Sequence, residues 1–182
     1  PLIDFLEKQD YIDVFGFDRL TPMGNASDQT EEMFTAIEYR NFLFEVFKRE
    51  ALKKTRLFSS RKEKMWRLLF YELGLVDPFD PYTSRIFAGC SAGMGTITVL
   101  ANGTVYACRR LELPAGKFPQ SNFKEIFIHN SLTSKLREID KYEKCNNCPL
   151  RGYCRGCIAT KYAVTGNLYA PDPLCWRNLN AI

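Results

Sequence analysis

Seven cysteines carry the chemistry of this 182-residue chain. Four fall within "CNNCPLRGYCRGC", at Cys145, Cys148, Cys154 and Cys157, while Cys90, Cys108 and Cys175 lie outside it. Thiols at this density either pair as disulfides or bind metal. Disulfides need an oxidising compartment and favour even counts. The N-terminal "PLIDFLEKQD" has acidic residues and no basic stretch ahead of an apolar core, so it does not read as a signal peptide. The expectation is a reducing, cytoplasmic setting in which the thiols bind metal. Zinc is the simplest metal reading, because Cys145-x2-Cys148 and Cys154-x2-Cys157 are knuckle-like pairs and four thiolates close a tetrahedral site. Only five residues separate the pairs, however, and zinc leaves Cys90, Cys108 and Cys175 unused. Iron–sulfur clusters use all seven thiols. One cubane takes four, and a second takes three and leaves one iron without a protein thiolate. That iron is free for water, a backbone group, a substrate atom or a side chain from outside the chain.

The bulk numbers exclude some classes. Hydrophobic content of 46% and charge of 25% are ordinary for a globular protein, and 14 Phe and 9 Tyr provide for a core. The net charge of +4 is too mild to argue for nucleic acid. No apolar run approaches the ~20 residues of a membrane span.

The elements that must position the cysteines read as α+β. Ile12 to Phe17 reads as a strand and Arg19 to Asp28 as its exit loop. No second convincing strand lies near it, which implies that the rest of its sheet is missing. Thr35-Ala36-Ile37-Glu38 has the form of a capping box, followed by Phe42, Leu43, Val46, Phe47 and Leu52 near helical spacing. Ser60-Arg61-Lys62-Glu63 repeats the capping form before Met65, Leu68, Leu69 and Leu73, with Gly74 as the stop. Between Lys48 and Lys64 stand eight Lys/Arg against two Glu, read as solvated helix faces. "VDPFDPYTSRIFAGC" reads as an extended linker, so a boundary falls near residue 80 and gives units of 1–80 and 81–182. Asn102-Gly103 between β-prone runs predicts a hairpin, with both turn residues at positive φ. It carries Cys90 before its first strand and Cys108 at the end of its second. Short helices are expected over Asn122 to Ile128 and Ser131 to Ile139, with cysteine loops beyond.

These residues resemble a known family. "CSAGMGTITVLANGTVYAC" has the form Cys-x12-Gly-x4-Cys, from Cys90 through Gly103 to Cys108. "CNNCPLRGYCRGC" has the form Cys-x2-Cys-x5-Cys-x2-Cys, and Cys175 follows Cys157 after seventeen residues. This resembles the seven-cysteine SPASM domain at the C-terminus of radical SAM enzymes that modify peptides, over roughly residues 88 to 178. "CRGC" departs from the family's usual Cys-x-Gly-Gly-Cys. "FGFDRLTPMGNA" resembles the sixth strand and following loop of a radical SAM partial barrel, which lies near S-adenosylmethionine (AdoMet) in the family, and "TAIEYRNFLFEVFK" resembles the next helix. The orphan strand would then belong to a barrel remnant. The Cys-x3-Cys-x2-Cys triad of the SAM-cleaving cluster is not in this sequence, so alone the chain is expected not to cleave AdoMet.

The resemblance assigns Cys90, Cys108 and Cys157 to a first auxiliary 4Fe–4S cluster, with an open iron, and Cys145, Cys148, Cys154 and Cys175 to a second. It implies AdoMet and a third 4Fe–4S cluster in the full-length enzyme. The partners it implies are an N-terminal radical SAM domain, a flavodoxin or ferredoxin as electron donor, and a peptide or protein substrate, with neither nucleic acid nor membrane. The reaction it implies is hydrogen abstraction from a ribosomally made peptide by a 5′-deoxyadenosyl radical. The auxiliary clusters then pass electrons or bind substrate, as in formation of a thioether or another cross-link. A sulfatase-maturing branch carries an Asp after the second hairpin cysteine; here Arg109 and Arg110 follow Cys108, which argues against it. Arg109 and Arg110 read as a solvated strand end, or as contacts for an acidic peptide. His129, the only histidine, reads as surface, and Asp172 as shaping the loop before Cys175 or hydrogen bonding near the second cluster. The alternatives are a redox or substrate-binding accessory without radical chemistry, and a zinc-stabilised binding module. Without metal, residues 140 to 178 are expected to be poorly ordered.

Overall fold

The structure, a computed structural model, describes residues 2–178. Its N-terminal part runs through helix α1 (Leu2–Leu6), strand β1 (Val14–Phe15), helix α2 (Ala36–Ala51), strand β2 (Phe58–Ser59) and helix α3 (Trp66–Glu72). β1 and β2 pair in parallel, with Val14 opposite Phe58 and Phe15 opposite Ser59. The expected strand over Ile12 to Phe17 is thus only two residues long, and it is not an orphan. Its partner, Phe58–Ser59, is too short to show an alternating pattern, and α2 forms the crossover between them, as parallel pairing requires.

α2 starts where its capping box predicts. Thr35 Oγ1 accepts from the Glu38 amide (3.3 Å), and a Glu38 carboxylate oxygen accepts from the Thr35 amide (2.8 Å). Leu43 and Val46 face the core, whereas Leu52, at the C-cap, is exposed. The second expected capping box does not form. α3 begins at Trp66 with no side-chain cap, and Ser60 to Lys64 form turns. Glu63 is taken by a buried arginine instead, as described below. Met65, Leu68 and Leu69 are buried as expected, and Gly74, at φ 67°, ends the helix.

The hairpin pairs β3 (Thr98–Val99) with β4 (Thr104–Cys108) antiparallel, Thr98 opposite Tyr106. The turn is not the expected two-residue type. Leu100 to Gly103 form it, closed by Gly103 N–H donating to Leu100 O (2.8 Å), and only Gly103 has positive φ, at 83°. A Cβ on Gly103 would lie 2.5 Å from the Phe118 carbonyl oxygen, so glycine is required on two counts. A third strand, β5 (Leu111–Lys117), adds to β4 at the edge of the sheet, with register shifts at Val105/Tyr106 and Tyr106/Cys108. Its Pro114 and Gly116 disguise it in sequence, yet an edge strand tolerates proline. Beyond it come a π-helical turn (Glu125–His129), α4 (Ser131–Lys135) and α5 (Ile158–Thr165). His129 is exposed.

Two larger cores and a small third one, of Val105, Ala115 and Ile126 under the sheet, organise the described residues. One joins α2 and α3 to the late loops, packing Leu43, Val46, Trp66 and Leu69 with Leu150, Cys154, Leu174 and Trp176. The other gathers Cys90, Ala107, Leu111, Leu136, Tyr142, Cys157 and Ile158 around the hairpin and the start of α5. No helix among the described residues is long and apolar enough to cross a membrane.

Candidate metal centres

The seven thiols, all free, line two cavities. Cys145, Cys148, Cys154 and Cys175 line one, walled by Met65, Leu68 and Leu150 and enclosing about 400 Å³ of space including its mouth. Cys90, Cys108 and Cys157 line the other, of about 740 Å³ measured the same way, with Ser91, Ala92, Lys62, Lys64 and Arg110 around them. The thiols surround space. Among the described residues no three Cys, His, Asp or Glu side chains converge on a point that would hold a single metal ion.

The "CRGC" turn sends its two cysteines to different cavities. Arg155 and Gly156 both adopt left-handed backbone, at φ 60° and 66°, and reverse the chain within two residues. Cys154 ends buried in the core of the helices, and Cys157 buried as the N-cap residue of α5 in the hairpin core. Gly156 lies against Asp172, and a Cβ there would sit 2.4 Å from Asp172 Oδ2. Phe87 and Ala88 complete the support, because their amides donate to the Gly152 carbonyl (2.8 and 3.1 Å) and hold the segment before Cys90 against the cysteine loop.

A buried charge network ties the N-terminal segment to both cavities. Arg19, 5% exposed, donates through Nε to Glu63 (2.8 Å) and through Nη1 to both oxygens of Asp172 (2.8 and 2.6 Å). Asp172 Oδ2 accepts the Cys157 amide (2.6 Å), and Oδ1 accepts the Leu174 amide (2.9 Å). Glu63 also accepts from the Met65 amide. Burial alone would lower the Arg19 pKa, but the Asp172 and Glu63 carboxylates outweigh it and raise it. Arg110, on the rim of the three-thiol cavity, pairs with Asp18 (3.1 Å) and donates to the Arg19 carbonyl (3.3 Å). It is thus partly buried and engaged, not a solvated strand end, whereas Arg109 is exposed.

Electrostatics favour a ligand that compensates negative charge in the four-thiol cavity. Burial pushes the Cys154 thiol up to about 12 and Cys175 up to about 11. It raises Cys145 as well, against the opposing pull of Lys161. Thiolates are the ligating form, so metal uptake here releases protons and must supply the charge that burial withholds. Donor chemistry, spacing around a cavity and apolar walls fit an iron–sulfur cluster. Sequence reasoning singled out the seven cysteines as candidate ligands and gave Asp172 two readings, shaping the loop or hydrogen bonding; the structure shows the hydrogen bonds. That reasoning missed Arg19 and Glu63, because a contact across 44 or 153 residues leaves no local pattern, and it missed the buried cations Arg155 and Lys161.

Comparison with known proteins agrees with this geometry. Residues 90–149, about a third of the chain, match the family model of SPASM, an iron–sulfur cluster-binding domain. The chain is 27% identical to the AdoMet-dependent heme synthase of Nitratidesulfovibrio vulgaris (strain Hildenborough) over 161 residues, which cover 86% of the chain and 44% of that relative. It is 34% identical to the AdoMet-dependent heme synthase of Methanosarcina barkeri (strain Fusaro) over 88 residues, 48% of the chain and 25% of that relative. The chain therefore spans less than half the length of the curated relatives it matches. No solved structure matches it. Residues 90–149 thus match an iron–sulfur cluster-binding domain within a chain similar to AdoMet-dependent heme synthases, and neither relative is named for a peptide substrate.

Proposed function

We propose that this chain is the auxiliary-cluster portion of an AdoMet-dependent radical enzyme, with Cys145, Cys148, Cys154 and Cys175 holding one 4Fe–4S cluster and Cys90, Cys108 and Cys157 a second. The observation that carries the reading is the sorting of the seven thiols, four to one cavity and three to the other. Units of 1–80 and 81–182 follow: residues 1–80 contribute the end of a (β/α) partial barrel, in keeping with the parallel β1–α2–β2 unit. Clusters so bound supply one-electron transfer and, at an iron without a protein thiolate, a coordination position.

The chain's own residues do the positioning. Asp172 fixes the Cys157 amide and, through Arg19, locks the loop after β1 onto both cavities. Met65, Leu68, Leu150 and Pro171 give the four-thiol cavity an apolar wall beside Arg151, Arg155, Asp172 and Arg177, and we assign it to electron transfer. The three-thiol cavity is the roomier and is bordered by Lys62, Lys64 and Arg110 beside Asp18 and Glu63; Arg110 is paired with Asp18, so that Lys62 and Lys64 offer the positive charge for an anionic substrate. The relatives' names point to heme, and we propose a carboxylate-bearing heme precursor as substrate in place of the ribosomally made peptide. The N-terminal radical SAM domain, a flavodoxin or ferredoxin donor, AdoMet with its own cluster, and a reducing cytoplasmic setting belong to the same proposal.

The test is anaerobic reconstitution with iron and sulfide quantification. About eight iron per chain with thiolate-to-iron absorption is expected, falling to about four in Cys157→Ala and to about four in Cys175→Ala. One zinc without colour would replace this reading with the zinc-stabilised module. Titration with an iron porphyrin and with an acidic peptide, read by quenching of Trp66 and Trp176 fluorescence, separates the substrate classes.

A further inference from the structure

The two thiol sets meet backbone to backbone where the segment before Cys90 lies on the loop around Cys154. The Gly152 carbonyl accepts the Phe87 and Ala88 amides (2.8 and 3.1 Å). A Cβ on Gly89 would lie 2.3 Å from the Cys154 carbonyl oxygen, so only bare backbone fits there. Arg155 closes the contact. Its Nη1 donates to the Ala88 carbonyl (3.0 Å) and its Nη2 to the Cys90 carbonyl (2.9 Å). Arg155 follows Cys154 directly, is 1% exposed and lines the four-thiol cavity. One side chain thus borders one thiol set and grips the backbone of a cysteine of the other.

This is a demanding place for an arginine. Its φ of 60° lies in the left-handed region, where glycine is free of strain and an L residue is not. Burying a guanidinium is unfavourable unless its donors are met, and Nε has no partner among the described residues. What arginine supplies here, and glycine would not, is a planar fork of donors that spans the Ala88 and Cys90 carbonyls. The consequence has a direction. Arg155 is held where Cys154 is held, and Cys90 is held where Arg155 is. Asp172 makes the corresponding link for Cys157 by accepting its amide (2.6 Å), so Cys90 is the member of the three-thiol set that leans on Arg155.

We propose that Arg155 is a positioning residue that couples the two metal centres: filling of the four-thiol site fixes Cys154, and Arg155 passes that order to Cys90 in the three-thiol site. The proposal rests on the cluster reading above.

The reconstituted chain, its iron counted first, is challenged anaerobically with a chelator and an alkylating agent, and the labelling rate of Cys90 is read by mass spectrometry. Cys175→Ala and, separately, Cys148→Ala remove a thiol from the four-thiol site and none from the other. Either is expected to speed labelling of Cys90 about fivefold or more, although neither residue lines the cavity that Cys90 lines. Arg155→Met is expected to speed it about fivefold by itself, and Cys175→Ala to add less than about twofold in that background. Arg155→Lys keeps the charge and loses the fork, and is expected to behave as Arg155→Met does. In the metal-free chain Cys175→Ala is expected to change Cys90 labelling less than about twofold, which separates coupling through bound metal from a general loosening of the loop. Cys90 labelling that ignores Cys175→Ala and Cys148→Ala in the loaded chain, a remote effect of equal size with and without Arg155, or one that persists without metal overturns the proposal. A parent chain that takes up no iron defeats the cluster reading and this one with it, whereas about eight iron with uncoupled labelling defeats only this one.

Discussion

Asp172→Asn is the substitution whose cost the structure defines best. The Asp172 carboxylate is buried, 2% exposed, and meets Arg19 Nη1 through both oxygens and the amides of Cys157 and Leu174. Asparagine keeps the shape, removes the charge and turns one acceptor into a donor. Whichever way the amide is turned, an N–H then faces Arg19 together with either the Cys157 or the Leu174 amide. Removing one partner of a buried pair costs about 3–5 kcal/mol. Arg19 keeps Glu63, so the lower end applies, about 3 kcal/mol. For a chain of this length each kcal/mol lowers the midpoint by about 2–4 °C, so the expected fall is about 6–12 °C. Thermal unfolding of the iron-loaded chain under anaerobic, reducing conditions, followed by circular dichroism, measures it. In an Arg19→Met background the buried cation is gone, and Asp172→Asn should cost under about 1 kcal/mol, because the two sites share one network. A fall under about 2 °C, or equal costs in the two backgrounds, would refute the assignment of Asp172 as the link between the N-terminal segment and the cysteine loop.

Three further outcomes are expected. Gly156→Ala imposes a Cβ at φ 66° and 2.4 Å from Asp172 Oδ2; the left-handed backbone alone costs about 1–2 kcal/mol, and displacement of Cys157 should lower iron at the three-thiol site more than at the other, counted in the single-site cysteine variants. Thr35→Ala should cost about 1 kcal/mol and Ser60→Ala less than about 0.5 kcal/mol, since Thr35 caps α2 and Ser60 caps nothing; paired thermal melts decide it. Removal of metal by a chelator should speed amide hydrogen exchange over residues 140–178 while leaving α2 protected, since ligand binding supplies folding free energy to the cysteine loops.

The cysteine pattern was legible because its spacing is written along the chain; that Cys90, Cys108 and Cys157 line one cavity is seen only in the fold. α2 was legible for a similar reason: its cap is built from residues three apart, Thr35 and Glu38. Ser60 and Glu63 carry the same signal and do not cap, because Arg19 offers Glu63 a buried charge-assisted partner and the local alternative loses. Strand β2 has two residues and hence no period to read. Strand β5 contains Pro114, which counts against a strand unless its edge position is known.

The hidden charged residues share another property: their polar partner is distant in sequence, or they have none among the described residues. Arg19 needed Asp172 to be understood, 153 residues away. Lys161 has no polar partner among the described residues, and a reading of α5 from sequence would place a lysine on its solvent face. Its burial beside Tyr142 runs against that default.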